Sequence, residues 1–134
     1  MISARAAGLP LVREGESMAI EHVLAAVPVS DLDRSRRWYE ALFGRAADNN
    51  PMSTLWEWQV VPGGWVQVFV NEQCAGSSFV NFAVQDLEGH IDELRQRGLE
   101  PGAITDAAKG VRLSALTDPD GNTVTLIGGF RVQY

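Results

Sequence analysis

The chain has 134 residues, 46% of them hydrophobic, and a formal net charge of −6. That describes one compact domain, or two small units sharing a core, with no signature of disorder. No apolar run approaches the roughly 20 residues that span a bilayer. The acidic balance argues against non-specific binding to nucleic-acid phosphates or acidic lipids.

Residues 1–17 mix apolar Ala6, Ala7, Leu9, Leu11 and Val12 with Pro10, Arg13, Glu14 and Glu16, which interrupt the run too early for a secretory signal. They read as a flexible head, with Met18 starting the domain proper. The Val-, Leu- and Ala-rich stretch 19–29 predicts a largely buried strand. Ser30 or Asp31 can cap the helix that follows, by accepting from orphan amides of the first turn. Ser35, Trp38, Tyr39 and Leu42 form its apolar stripe, and Gly44 is its left-handed stop. Arg34, Arg36 and Arg37 fall on the solvated side. Residues 45–50 read as a polar connection.

Residues 55–61 alternate as a strand, Pro62-Gly63-Gly64 makes a tight turn, and residues 65–70 return as a second strand. Residues 71–78 link two halves. Cys74, the sole cysteine, excludes an internal disulfide and reads as an incidental free thiol in a reducing compartment. A strand over 79–84 then leads to Asp86, the cap of a helix striped by Leu87, Ile91 and Leu94 and ended by Gly98. Strands are expected at 102–104, 111–116 and 123–127, the last entered through the turn Asp118-Pro119-Asp120-Gly121-Asn122. The tail 130–134 could extend that edge or pack on a neighbouring subunit.

The halves repeat. Each has an apolar strand reaching an Asp-Leu pair (Asp31-Leu32, Asp86-Leu87), a helix stopped by Gly, and further strands punctuated by Gly. The order predicts an α+β fold of two βαβββ modules whose apolar sheet faces surround a cleft. The divisions are a head at 1–17, a first module at 18–72 and a second module with its tail at 73–134.

Residues 29–44 (VSDLDRSRRWYEALFG), residues 84–98 (VQDLEGHIDELRQRG) and the Asp-Pro-Asp-Gly-Asn turn together resemble the vicinal oxygen chelate superfamily of glyoxalases, bleomycin-resistance proteins and extradiol dioxygenases. The resemblance implies paired βαβββ modules forming incomplete barrels, and a homodimer. Metal-using relatives place His, Gln or Glu ligands seven residues before each helix-starting Asp and four residues after each turn glycine. Those counts fall on Leu24 and Phe79, on Gln67 (from Gly63) or Val68 (from Gly64), and on Thr125. Leu and Phe offer a divalent ion no lone pair. The expectation is therefore no metal and no other cofactor, as in metal-free drug-sequestering members.

The expected ligand-binding residues are His22, Leu24, Trp56, Trp58, Gln67, Phe79, Asn81 and Thr125, an apolar and aromatic wall with a few polar points. Trp56 and Trp58 share one strand face, so both line the cleft or both turn away. The expected function is cytoplasmic binding of a hydrophobic or aromatic organic molecule, with no nucleic-acid or membrane partner. Two alternatives stay open. One is a lyase, isomerase or dioxygenase-like enzyme using His22 or Glu57 in acid–base chemistry, or an atypical metal site of His22, Glu57 and Gln67. The other is a regulatory module whose cleft has lost its ligand. No catalytic set is legible.

Overall fold

A computed structural model describes residues 19–130. The expected head at 1–17, and all of the tail beyond Phe130, lie outside these residues. The first sheet holds β1 (Val23–Val29), β2 (Asn49–Met52), β3 (Leu55–Val61) and β4 (Gly64–Val70) in the order β1-β4-β3-β2. The second holds β5 (Phe79–Ala83), β6 (Thr105–Asp106), β7 (Arg112–Thr117) and β8 (Thr123–Gly128) in the order β5-β8-β7-β6. In each sheet the first strand runs parallel to the last and the remaining pairs are antiparallel. Helix α1 (Leu32–Phe43) follows β1, and α2 (Leu87–Gln96) follows β5. The fold is two open βαβββ modules.

Both helices begin as their sequences dictate. The Asp31 carboxylate accepts from the Arg34 amide and that of Asp86 from the Gly89 amide, each at 3.1 Å. Gly44 closes α1 at φ 74°, donating its amide to the Glu40 carbonyl, a conformation that costs other residues a steric penalty. The α1 stripe is narrower than expected. Ser35, Tyr39 and Leu42 are buried, whereas Trp38 is half-buried and packs edge-on against Tyr39 at 4.8 Å.

The sequence reading missed β2, whose NNPM segment has no apolar alternation and is exposed throughout. It forms because Asn49 and Met52 pair with Glu57 and Leu55 at the open edge of β3. The strand expected at 102–104 lies at Thr105–Asp106, where it pairs with Leu113 and Arg112.

The modules meet through their helix-covered sides. Val27, Val66, Val68 and Trp58 of the first sheet and Val80, Leu116, Val124 and Leu126 of the second pack with Tyr39, Leu42, Ile91 and Leu94 in the buried core. Phe43 of α1 crosses to Phe82 of β5, edge-on at 5.7 Å. A buried polar knot pins this contact. The Asp118 carboxylate accepts from the Tyr39 hydroxyl and Asn122 Nδ2 at 2.8 Å, and from the Asp120 and Asn122 amides at 2.9 Å. Asn122 Nδ2 also reaches back to the Pro28 carbonyl of β1.

Candidate functional site

Side chains alternate across a strand, so each sheet has one helix-covered face and one open face. Register assigns the expected residues. Leu24 pairs with Trp65 and Ala26 with Gln67, while Glu57 of β3 pairs with Gln67; this row lies on the open face of the first sheet. Phe79 pairs with Thr123 and Asn81 with Thr125 on the open face of the second. Val68, the other counted ligand position, is fully buried on the opposite side. Gln67 and Thr125 thus hold matching places in the two modules.

Leu24 is 49% exposed and Phe79 is 79% exposed. Buried partners lie on the other side of both strands, because the helix-side faces share the core between the modules. The two open faces therefore point away from that core, and one chain does not close them over each other. The sequence placed Leu24 and Phe79 in one cleft shared by the two sheet faces; within a single chain those faces do not meet.

Trp56 and Trp58 belong to the other side. They pair with Val68 and Val66 under α1. Trp58 is 0% exposed, packs against Phe43 at 5.5 Å and donates its indole N–H to the Arg45 carbonyl. Trp56 lies beneath the Arg36 guanidinium, 5.5 Å from the ring centre. The expectation that they share a wall with Leu24 and Gln67 is corrected: an odd-numbered offset along β3 turns them to the helix. Trp65 takes their place, and its register with Leu24 was readable only once β4 was paired to β1.

The open face of the first sheet carries a polar strip. Gln67 Nε2 donates to Glu57 Oε2 at 2.6 Å, and Asn49 Nδ2 donates to Glu57 Oε1 at 3.2 Å. Just before β1, His22 Nδ1 accepts from the Trp65 indole N–H at 3.1 Å. That bond requires an unprotonated Nδ1 and leaves Nε2–H as the donor of the neutral ring. The second sheet offers amide and hydroxyl groups from Asn81, Thr123 and Thr125 beside Phe79.

A metal of the kind the fold's relatives use does not fit these side chains. The four counted positions supply two hydrocarbons, an amide and a hydroxyl. Among the described residues no group of three or more His, Cys, Asp or Glu side chains converges to hold an ion. Asp118, Asp120 and Asn122 spend their oxygens on the turn and the module contact.

A further cleft of about 630 Å³ opens between the modules, reaching the open faces at Trp65 and Asn81. Leu42 and Phe43 of α1, Val60 and Val66 of the first sheet, and Val80, Phe82 and Leu126 of the second make its apolar walls. His90, Glu93 and Arg97 border it from the second helix and its end, and Asn81 is the one expected ligand residue that also lines it.

Two open βαβββ modules with one helix apiece define the class, and the sequence match agrees. Residues 19–126 match the Glyoxalase/Bleomycin resistance protein/Dioxygenase superfamily, and the chain belongs to that family. Among solved structures it is similar to a glyoxalase/bleomycin resistance protein from Catenulispora acidiphila, with 27% identity and a TM-score of 0.75 over 80% of this chain and 96% of that one. It shares the fold of a bleomycin-binding protein complexed with bleomycin, at 20% identity and a TM-score of 0.67, covering 81% of this chain and 98% of that one. It also shares the fold of TnmS3, an antibiotic-binding protein from Streptomyces sp. CB03234, at 23% identity and a TM-score of 0.63, covering 84% and 98%. No curated protein matches the chain.

Proposed function

We propose that this protein binds a hydrophobic or aromatic organic molecule and sequesters it unaltered, without a catalytic metal, in the cytoplasm. The observation that carries this reading is the pair Leu24 and Phe79, two large hydrocarbons held exposed at matching places in the two modules. Isolated exposed apolar residues are ordinary, but here Leu24 pairs with Trp65, two residues along β4 from Gln67, and Phe79 pairs with Thr123, next to the Asn81–Thr125 pair. His22 supplies a further N–H at the rim. Two of the solved structures of this fold are named as binders of bleomycin and of an antibiotic.

The same reading includes a homodimer. An open face left by one chain is covered when a second copy lays its complementary sheet over it, and two-fold symmetry does this twice at once. The first sheet of one copy, with Leu24 and Gln67, would then meet the second sheet of its partner, and ligand would lie between. The exposed thiol of Cys74, alone in the chain, suits a reducing compartment, and no helix among the described residues is long and apolar enough to cross a membrane.

The test is light scattering for mass, then calorimetric titration with bleomycin and a panel of aromatic antibiotics, with mass spectrometry of the recovered compound. A dimer that binds at least one and returns it unchanged supports sequestration. A compound returned chemically altered would move the reading to an enzyme, with Glu57 or His22 as the proton carrier to mutate first. A monomer indifferent to the whole panel would favour a regulatory module instead.

A further inference from the structure

We propose that the cleft between the modules is a second ligand site, bordering the open faces only at Trp65 and Asn81, for a carboxylate carried on an apolar, ring-bearing body. Its volume of about 630 Å³ falls within the range of small-molecule pockets, and a largely apolar lining with a few polar groups at one side is their usual make-up. Phe43 and Phe82 meet edge-on at 5.7 Å in its wall, an arrangement that can accept the edge or face of a third ring.

The polar side decides the charge of the guest. Arg97 is anchored: its Nε donates to the Ala41 carbonyl at 2.6 Å and its Nη2 to the Leu42 carbonyl at 3.3 Å, at the C-terminal end of α1. That position is favourable for a cation. Gly44 makes room for it, since a Cβ there would sit 3.0 Å from Nη1. Among the described residues, the acceptor nearest the remaining amino group, Nη1, is the Glu93 carboxylate at 3.9 Å, too long for a hydrogen bond. The Glu93 side chain is 65% exposed against 33% for Arg97, so the carboxylate is the more hydrated partner, while two hydrogen bonds to α1 hold the guanidinium in place. His90 also borders the cleft; its amide donates to the Asp86 carbonyl, and among the described residues its side chain has no hydrogen bond or ion pair. A fixed cation with spare N–H groups beside an apolar cleft selects an anion.

The probe is naphthalene-2-carboxylate, with its neutral amide as control, titrated into the full-length protein and followed by amide NMR shifts. The carboxylate should move the amides of Leu42, Gly44 and His90 and leave those of Gln67 and Thr125 in place. It should bind about ten-fold more tightly than the amide. Arg97→Gln should erase that preference and Arg97→Lys should keep most of it. Equal affinity for acid and amide, shifts confined to Gln67 and Thr125, or no saturable shift would each overturn the proposal. If Arg97→Gln does not fold, the acid–amide comparison and shift map on the unaltered protein decide it.

Discussion

The Tyr39 hydroxyl donates to Asp118 Oδ2 across the module boundary at 2.8 Å, with both residues almost entirely buried. Burial, then the charge and hydrogen bond of Asp118, raise the phenol far above its ordinary value of 10.0. In the unfolded chain the same phenol ionises near pH 10. A raised folded-state value means its contribution is complete below that pH and is lost as pH climbs above it. Unfolding free energy should therefore fall by about 1.4 kcal/mol per pH unit above pH 10 from this group. Urea melts of the wild type and Tyr39→Phe between pH 8 and pH 11.5 isolate it. The variant should be less stable by about 1.5–3 kcal/mol at pH 8, with a shallower alkaline decline. Parallel declines would show that Tyr39 does not couple to pH.

Trp58 and Phe79 make opposite predictions although both were expected to line one cleft. Trp58→Ala empties a core position and should cost about 3–5 kcal/mol. Phe79→Ala removes a side chain that is 79% exposed, so the isolated chain should lose under about 0.5 kcal/mol while ligand affinity falls. Thermal melts and calorimetry on the two variants check this. Unchanged affinity for Phe79→Ala would take that residue out of the proposed site.

Gly76 lies in the connection between modules at φ 87°, and a Cβ there would collide with the Asp120 carbonyl. Gly76→Ala therefore meets both a disfavoured backbone conformation and a clash beside the Asp118 knot. A loss of more than about 1 kcal/mol is expected by chemical denaturation. A neutral result would mean the turn shifts without disturbing the module contact.

Prolonged treatment with a strong chelator, followed by buffer exchange, should leave both melting temperature and ligand affinity as they were. Structural metals contribute directly to folding free energy. A lower melting point restored by one added divalent ion would contradict the metal-free reading.

Much of the fold was legible because its signals are local. The caps Asp31 and Asp86, the stop Gly44 and the alternation of residues 55–61 act over one turn or one strand. The edge strand β2 was not legible, since NNPM has neither apolar period nor strand propensity and is held only by its pairing with β3. Nor was the role of the Asp118 turn. Its sequence marks a bend, but its carboxylate finds Tyr39 a whole module away.

Sequence alone determined the two-module plan, its helix boundaries and the hydrocarbon character of Leu24 and Phe79, because periodicity, capping and residue type are properties of neighbours along the chain. Tertiary structure decided which side of each sheet is covered. Trp56 and Trp58 face α1 while Gln67 faces outward, since strand register converts a one-residue offset into opposite faces. It also created the cleft bordered by Arg97, whose partners at Ala41 and Leu42 lie in the other module. No local pattern encodes a contact that exists only when two distant surfaces pack.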